Sequence, residues 1–573
     1  MLTRAVAICS ALTGERLRRW AGPAAAPVVL AAIVMSACDR QAAPSATPVP
    51  SPTATLAPIQ TAPALRATAT PAPTPQGLTK GGILRLSVIE APPHLDPHQT
   101  VSPALHTWGP GLVYSRLFRY ATGPGHGFPS GEVVCDLCES WVQTDPLTLY
   151  VKLRAEARWQ AVSPVPDRNV TASDVALSLR RAATPGWANS PLMANIERVE
   201  EVDPTAVLIR FRQPDAEALE TLADSHLKVV AEEAMVQPGG LLRGPAAGSG
   251  PWRLEQFDLD GASYSADRGY YLPGVPYLDG LDIRVINDVE TRIAALRNRL
   301  LDLDQSAFDS ASRAMEAFPD LVRVRMLEPG TGVSVALNAS RPPLDSLEVR
   351  RAVLKALDPE EIAGTVWDGE GVVTTGLPVP SGSWLIEWHE LRPSFDDPVA
   401  SAQLLTALDP SGRRVRLTVG EFSDAYVAVA EAVARSFASA GLEAEVERVP
   451  TRVYAERAWF GGDYQVLLGA QPPANSLNAY LYAVYHSRGS ANTTGVISQS
   501  LDPLIEQQAT EPDPGRRREL VLQIQREVMQ LAYRFNLVTK VTLWLHWPEV
   551  RGFAPNLFRG ENYWLTDVWL AAR

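Results

Sequence analysis

The chain has 573 residues, of which 46% are hydrophobic and 20% are charged, and its formal net charge is −12. A chain of this length is too large for one hydrophobic core, so we expect several domains. The negative charge, in a sequence without a basic patch interleaved with aromatic residues, argues against nucleic acid as a partner.

The first 37 residues have the layout of a secretory signal peptide. Arg16, Arg18 and Arg19 precede an apolar stretch, 21–37, that ends in small residues. Two prolines interrupt this stretch, which is shorter than the roughly 20 residues that a membrane-spanning helix needs. We therefore expect residues 1–37 to be removed rather than retained.

Cys38 directly follows the small residues Ser36 and Ala37. This setting resembles a bacterial lipobox, in which the cysteine is diacylated and becomes the first mature residue. Two acyl chains hold a protein firmly at a membrane, whereas one holds it only marginally. We expect a protein outside the cytoplasm that is anchored to the cell membrane at Cys38. An ordinary secretory signal, in which Cys38 is incidental, is the alternative.

The segment after Cys38 predicts a disordered tether over 38–79. Arg66 is the only charged residue between 41 and 79, and Ala, Pro, Thr and Ser dominate the rest. Such a composition has too few large apolar side chains to offset the entropy that ordering would cost. As a flexible coil, the tether would hold the folded part roughly 35 Å from the bilayer.

Metal and redox chemistry have few candidates in this sequence. Cys135 and Cys138 could close a small disulfide loop in an oxidising compartment, and a reduced, half-buried pair is the alternative. A zinc site would need a second pair of ligands at suitable spacing. His94 and His98 flank a turn, where capping of the loop is favoured over metal binding, and His106 has no acidic or cysteine neighbour in the sequence. We expect no metal and no cofactor.

Catalytic motifs are also scarce. The sequence contains no phosphate-binding loop that ends in Gly-Lys-Ser/Thr, no His-Glu-x-x-His and no Gly-x-Ser-x-Gly. We therefore expect binding without catalysis.

Local patterns predict alternating strands and helices, which is typical of α/β layers. Thr171 with Asp174, and Asp345 with Glu348, have capping-box spacing. Apolar residues at four-residue steps predict one helix through Val349, Val353 and Leu357 and another through Leu520, Ile524, Val528 and Leu531. Short β-rich runs lie at 206–211, 281–286 and 415–419.

Several further motifs occur in a fixed order along the folded region. They are a glycine-led strand, a Leu-Asp-Pro turn, a hairpin, a helix start, a glycine-rich turn and two helices, at 81–88, 95–97, 137–154, 171–175, 248–252, 288–296 and 349–358. This order resembles that of the extracellular solute-binding proteins of family 5, the peptide, dipeptide and nickel receptors of ABC importers. The resemblance implies an α/β fold of the type II periplasmic-binding-protein class, with two lobes, three domains and a hinge of two chain crossings.

The resemblance also implies domain boundaries. Domain I would comprise 80–117, 244–337 and 549–573, domain II would be the insertion 118–243, and domain III would form the second lobe over 338–548. The chain would cross between the lobes at Val335–Asn338 and return at His546–Gly552. Two such crossings allow closure by bending a few residues while each core stays intact.

The candidate ligand contacts also follow from the resemblance. Peptide-binding members place a tryptophan and then an aspartate, which pairs with the ligand's ammonium group, where this chain has Ala470 and Pro473. A buried ammonium group without a carboxylate is costly, so a free-amino peptide is disfavoured. The predicted ligand contacts are uncharged residues of this region and two loop tryptophans: Gln471, Asn475, Asn478, Tyr480, Trp384 and Trp388. Core packing is the alternative for Tyr480, and surface packing is the alternative for the tryptophans.

The sequence thus predicts a substrate-binding lipoprotein of an ABC importer. As a monomer, it would capture an oligopeptide-like or other medium-sized solute between two lobes and deliver it to an ABC permease. A signalling or pheromone receptor on the same scaffold is an alternative, and so is a cell-surface hydrolase, which would need a paired acid and base in the cleft. The sequence leaves the ligand's identity open.

Overall fold

The computed structural model describes residues 66–67, 77–123, 125–127, 129–306, 308–406, 413–471, 476–556 and 558–572. The predicted signal peptide, Cys38 and Asn475 lie outside these residues. Of the predicted tether, Arg66 and Ala67 form a short strand that pairs with the strand Cys138–Asp145.

The strands in chain order are β1 (Arg66–Ala67), β2 (Ile83–Val88), β3 (Phe118–Tyr120), β4 (Val133–Cys135), β5 (Cys138–Asp145), β6 (Thr148–Leu153), β7 (Ile196–Asp203), β8 (Ala206–Phe211), β9 (Trp252–Asp258), β10 (Gly261–Ala266), β11 (Gly280–Val285), β12 (Leu303–Ser306), β13 (Val322–Leu327), β14 (Val333–Leu337), β15 (Arg414–Gly420), β16 (Glu443–Val449), β17 (Val466–Gly469), β18 (Arg534–Val538), β19 (Val541–His546), β20 (Val550–Arg551) and β21 (Trp569–Leu570).

The helices are α1 (Pro103–His106), α2 (Ala172–Ala182), α3 (Ala218–Leu222), α4 (Glu232–Met235), α5 (Val289–Arg297), α6 (Phe308–Ala317), α7 (Leu347–Lys355), α8 (Pro359–Thr365), α9 (Trp388–Leu391), α10 (Pro398–Leu405), α11 (Asp424–Ser439), α12 (Thr451–Val453), α13 (Leu477–Tyr485), α14 (Leu501–Thr510) and α15 (Pro514–Leu531). Short 3₁₀ turns and one π-helical turn, Tyr454–Trp459, join them. Among the residues described, none of the helices combines the length and the apolar character needed to cross a membrane.

The strands form three large mixed or antiparallel sheets. A seven-stranded sheet has the order β13-β19-β12-β2-β11-β10-β9, and a five-stranded sheet, β1-β5-β6-β8-β7, lies within the predicted insertion apart from β1. The third sheet has the order β16-β15-β17-β14-β18. We call residues 77–327 and 541–572 the first lobe and residues 333–538 the second lobe. A large apolar core runs through both sheets of the first lobe, which also has a smaller cluster around Leu296 and Leu545, and the second lobe has two core clusters of its own.

The chain passes between the lobes twice, at 328–332 and at 539–540, because β13 and β19 belong to one sheet and β14 and β18 to another. Both transitions come earlier than the predicted Val335–Asn338 and His546–Gly552. An apolar run does not show which sheet it joins, so the sequence placed β14 and β19 in the wrong lobes. The two connections are neighbours, since the Glu328 amide donates to the Lys540 carbonyl at 3.0 Å.

Of the two capping boxes predicted from residue spacing, the structure contains one and not the other. The predicted capping box is confirmed at the start of α2, where the Thr171 amide donates to Asp174 Oδ2 at 2.9 Å and the Asp174 amide donates to Thr171 Oγ1 at 3.5 Å. The predicted cap at Asp345 is wrong, because Ser346 Oγ accepts from the Val349 amide instead. Ser346 offers the same kind of oxygen one residue later, which spacing alone does not exclude.

Candidate functional site

Two cavities lie between the lobes. The first has a volume of about 670 Å³ and the second about 920 Å³, which are sizes typical of small-molecule sites. Each receives residues from both lobes and one of the two connections, Glu328 in the first cavity and Lys540 in the second. The cleft therefore has two chambers that share the hinge segment.

The first cavity is lined by ionisable groups. Its walls carry Glu220, Asp224, His226, Glu328 and Arg559. Asp224 Oδ1 lies 2.5 Å from His226 Nδ1, and the Arg559 guanidinium lies 3.5 Å from Glu220. Burial raises the pKa of Glu328, although Lys540 partly opposes this shift. This chamber is therefore rich in carboxylates, several of which already have a cationic or imidazole partner.

Arg517 of α15 connects the second lobe to the first lobe beside this cavity. Its guanidinium donates to Glu217 at 2.8 Å and to Glu220 at 3.2 Å. The Arg517 and Glu217 side chains are only 4% and 3% exposed, so water hardly screens their attraction. Asn478 completes the cluster, since its backbone N–H donates to Glu217 at 3.2 Å and its Oδ1 accepts from Arg517 at 3.1 Å.

The two glutamates of this cluster have opposite pKa shifts. Burial, followed by the negative charge of Glu217, raises the pKa of Glu220 to about 7. Burial also opposes ionisation of Glu217, but Arg559 and Arg517 outweigh it and hold its pKa below the usual value. Glu220 thus exchanges a proton near neutral pH at the contact between the lobes.

Backbone hydrogen bonds also join the lobes in this region. The Ala216 amide donates to the Ala509 carbonyl at 2.9 Å, and the Gly131 amide donates to the Pro380 carbonyl at 2.7 Å. Together with the ion pairs of Arg517, these bonds show that the lobes are closed on each other beside the first cavity.

The second cavity is lined by aromatic rings and by donors that lack a partner. Trp108 and Trp544 come from the first lobe and Trp367 from the second. The Trp544 indole N–H and the Thr542 hydroxyl are buried and have no hydrogen-bond partner within the described part of the chain. Buried polar groups are nearly always bonded, so these two donors are unusual in a folded protein.

Three of the five charged side chains that line the second cavity are paired. Arg292 Nε lies 3.4 Å from Asp304, whose other oxygen accepts from Ser87 at 2.5 Å. Lys540 Nζ lies 3.7 Å from Glu328, whereas Glu90 and Asp424 form no ion pair among the described residues. The rings and uncharged donors of this cavity suit an uncharged part of a solute.

The two predicted tryptophans pack within the second lobe. The Trp384 carbonyl accepts from Gln525 at 2.7 Å, and the Arg517 guanidinium lies 5.5 Å from the Trp384 ring. The Trp388 ring lies 6.0 Å from that of Phe395. Neither tryptophan is among the residues that line the two cavities.

The predicted polar contacts form two groups. Tyr480 is buried and donates to Gln471 Oε1, and Gln471 Nε2 donates to Asn536 at 3.0 Å. Asn478 belongs to the Arg517 cluster. These three residues bond to other parts of the protein, and none of them lines either cavity. Their role in ligand binding stays a prediction, as does that of Asn475.

The residues of the second cavity were missed because they are far apart in the sequence. Trp108 follows α1, Trp367 follows α8, and Trp544 lies in β19. Each looks like an ordinary core aromatic residue in its local run. One sequence feature could have indicated a binding role for Trp544: it lies in an apolar strand between the polar residues Thr542 and His546.

The cysteines and histidines have structural roles. A disulfide joins Cys135 and Cys138, whose Cα atoms are 4.8 Å apart. The predicted loop capping is confirmed, because His94 Nδ1 accepts from the Asp96 amide at 3.2 Å and Asp96 accepts from the His98 amide at 3.0 Å. Burial lowers the pKa of His98 to about 4. The described residues contain no group of three or more His, Cys, Asp or Glu side chains placed to hold a metal ion.

Comparison with known proteins identifies a family and several relatives that this chain resembles. Residues 132–492 match the model of the bacterial extracellular solute-binding proteins, family 5, middle region. The glutathione-binding protein GsiB of Escherichia coli K12 is 25% identical over 327 residues, which cover 54% of this chain and 60% of GsiB. The chain thus spans 60% of the length of the glutathione-binding relatives it matches. A probable di/tripeptide-binding protein of Pseudomonas aeruginosa is 24% identical over 497 residues, 79% of this chain and 89% of that protein.

Solved structures show the same fold. HbpA2 of Haemophilus parasuis superposes with a TM-score of 0.74 at 20% identity, covering 85% of this chain and 100% of that chain. The murein tripeptide-binding protein MppA, in its unliganded open form, has a TM-score of 0.72 at 16% identity and covers 87% and 99%. These likenesses confirm the predicted α/β, two-lobed, type II fold.

Proposed function

Because the chain belongs to the bacterial extracellular solute-binding proteins of family 5, we propose that it is the substrate-binding subunit of an ABC importer. It captures an oligopeptide-like or other medium-sized solute between its lobes and presents it to an ABC permease. The observation that carries this proposal is the pair of cavities enclosed between two lobes that only two adjacent connections join. A ligand that binds the closed form better than the open form shifts the population toward closure.

The proposed location is the outer face of the cell membrane or the periplasm. Diacylation at Cys38 would attach the mature chain, and the tether up to residue 79 would let a single copy find its permease in the same membrane. Binding without chemical change is part of this proposal. It is supported by the family match, because the members of this family are described as solute-binding proteins.

The solute is proposed to occupy the second cavity. The relatives' names mention glutathione and di- or tripeptides, which are of suitable size for a cavity of about 920 Å³. The unpaired donors of Thr542 and Trp544 suit carbonyl or hydroxyl oxygens, and Trp108 and Trp367 offer flat apolar faces. Since Pro473 occupies the position of the ammonium-binding aspartate, we propose that acceptor atoms and rings, rather than a free amino terminus, are recognised.

Titration of the full chain with glutathione, trialanine, N-acetylated trialanine amide, maltose and cellobiose tests this function. Tryptophan fluorescence reports binding, because three of the 14 tryptophans line the second cavity. We expect a saturable change with at least one solute, and N-acetylation should not weaken peptide binding. No change with any of these solutes at millimolar concentration would overturn the receptor proposal.

A matched pair of variants locates the site. Trp544→Phe keeps a ring but removes the indole N–H, and we expect about two- to tenfold weaker binding. Trp388→Phe makes the same change at another buried N–H without a partner, outside both cavities, and should leave binding unchanged. Equal effects of the two substitutions would place the solute elsewhere.

A further inference from the structure

Two carboxylates without a cationic partner line the second cavity. Glu90 follows β2 in the first lobe, and Asp424 begins α11 in the second lobe. Neither forms an ion pair with any residue that the structure describes. Both side chains are exposed, so a molecule that enters the cavity can reach them. The second cavity therefore offers free negative charge from both lobes.

The formal charges of this cavity do not cancel. Its two cations are Arg292, which pairs with Asp304 of the same wall, and Lys540, which pairs with Glu328 of the first cavity. Both cations thus have a partner already, and the two free carboxylates leave an excess of negative charge. A cleft lined by one sign of charge between walls of low dielectric constant concentrates ligands of the opposite sign.

Indole rings line the same cavity. Trp108 of the first lobe and Trp367 of the second lobe are half-buried, so part of each side chain remains accessible. The face of an indole ring attracts a cation more strongly than the face of any other side chain, and aromatic rings are the usual recognition surface for quaternary ammonium groups. Rings and free carboxylates together indicate an organic cation.

Trp367 is held in a strained backbone conformation at this cavity. Its φ is +50°, in the left-handed region that a bulky residue rarely adopts. Such conformations cost free energy and are concentrated at binding sites, where the surrounding structure fixes a side chain in a required position. This strain favours a role in recognition for Trp367 over packing alone.

The other end of the cleft shows how a cation joins the lobes. There Arg517 of the second lobe donates to Glu217 and Glu220 of the first lobe. At the second cavity, free carboxylates come from both lobes, and the part of the chain that the structure describes supplies no free cation to join them. The missing cation can come from the solute.

We propose that the solute carries an organic cation, a guanidinium or quaternary ammonium group, which binds between Glu90 and Asp424 against the rings of Trp108 and Trp367. This inference rests on the proposed function and adds the chemical class of the solute. The cation belongs to a side group rather than to a free amino terminus, in keeping with Pro473 at the position of the family's aspartate. Carboxylates of both lobes meet it only in the closed form, so its charge favours closure.

The first experiment compares solutes that differ only in charge. Calorimetric titration of the full chain uses three tripeptides, N-acetyl-Ala-Xaa-Ala-amide, with arginine, glutamine or glutamate in the middle, together with choline. We expect the arginine peptide to bind about five- to thirtyfold more tightly than the glutamine peptide, and the glutamate peptide to bind most weakly. Tighter binding of choline than of the arginine peptide would identify the cation as a quaternary ammonium group, and the reverse order as a guanidinium group.

This experiment separates the inference from the proposed function. Equal affinities for the arginine and glutamine peptides, without binding of choline, would overturn the cationic class of the solute. Binding of trialanine or maltose in the same preparation would then still support a receptor. If none of these solutes bound, the receptor proposal would fail as well.

A matched set of variants locates the cation. Glu90→Gln and Asp424→Asn should each lower the preference for arginine over glutamine about three- to tenfold, since each removes one attracting charge. Glu421→Gln is the control, because Glu421 is exposed in the same lobe as Asp424, forms no ion pair within the described ranges and lines neither cavity. It changes the net charge equally and should keep the preference. Equal losses in Asp424→Asn and Glu421→Gln would refute a local site.

The salt dependence of binding gives a readout that needs no variant. Because both carboxylates are exposed, dissolved ions screen their attraction for a ligand cation. The preference for the arginine peptide should therefore decrease as sodium chloride rises from about 0.02 M to about 0.5 M. A preference that salt does not change would show that these carboxylates do not cause it, contrary to the proposal.

Discussion

The guanidinium of Arg517 in the second lobe lies 2.8 Å from the carboxylate of Glu217 in the first lobe, and both side chains are almost completely buried. The two residues are 300 positions apart in the sequence. Together with Glu220, Asn478 and the backbone hydrogen bonds of Ala216 and Gly131, this pair holds the two lobes together at this end of the cleft.

Arg517→Met should open the lobes. The substitution removes one of the two cations beside Glu217, because the Arg559 guanidinium lies 3.7 Å from the same carboxylate, and loss of one partner of a buried pair costs up to about 3–5 kcal/mol. We expect a larger radius of gyration in small-angle X-ray scattering and weaker solute binding. Arg518→Met is the control, since the 39% exposed Arg518 pairs with the exposed Glu519 and donates to the Ser383 carbonyl of the same lobe, and its loss should leave both quantities unchanged. An unchanged radius in Arg517→Met would contradict a closing role.

The contact between the lobes should weaken as pH rises through neutrality. Burial, followed by the charge of Glu217, raises the pKa of Glu220 from its ordinary value of 4.5 to about 7 in the folded protein. Its contribution to stability is therefore fully present below about pH 4.5 and is lost as pH rises through about 7, when a second charge forms beside Glu217. Glu220→Gln mimics the protonated form, so the Tm difference between this variant and the unsubstituted protein should increase from pH 5 to pH 8. A constant difference would show that Glu220 does not titrate in this range.

Thr542→Val should weaken solute binding without lowering the free energy of unfolding. The Thr542 hydroxyl is buried without a partner, so its removal should leave the free energy of unfolding unchanged or raise it. If a solute acceptor bonds to this hydroxyl, affinity should fall about two- to tenfold. Ser249→Ala is the control, because the Ser249 hydroxyl is equally buried, also lacks a partner within the described part of the chain and lines neither cavity. Denaturant unfolding and fluorescence titration measure the two quantities.

Gly376→Ala should destabilise the segment that Gln471 belongs to. Gly376 has φ +72°, and a Cβ atom there would lie 2.5 Å from Gln471 Nε2 and 2.6 Å from Asn536 Cγ. Positive φ alone costs an alanine about 1–2 kcal/mol, and the overlap adds to this. Gly369→Ala is the control, since φ is +73° and the nearest atom is 3.9 Å away. Equal free energies of unfolding for the two variants would contradict the tight contact.

Local features of the fold could be predicted from the sequence, because they depend on neighbouring residues. The cap of α2 at Thr171 follows from spacing, and the stripe through Val349, Val353 and Leu357 is buried as expected. The cap at Asp345 was wrong by one residue because Ser346 offers an equivalent oxygen.

Non-local features could not be predicted in the same way. β14 and β19 are both apolar runs, and only their pairing with β17 and with β12 shows that they belong to different lobes. The cluster of Arg517 with Glu217 and the group of Trp108, Trp367 and Trp544 also join segments that are far apart in the chain. No periodicity or spacing links such residues, since their proximity results from how the sheets are arranged.

The contact between the two connections limits how the protein can move. The Glu328 amide donates to Lys540, and the side chains of these residues also form an ion pair. Because one backbone hydrogen bond and one ion pair join the two connections, we expect them to bend together when the lobes move. The lobes would then open and close by a single hinge motion. A substitution that stiffens either connection should slow both the binding and the release of the solute.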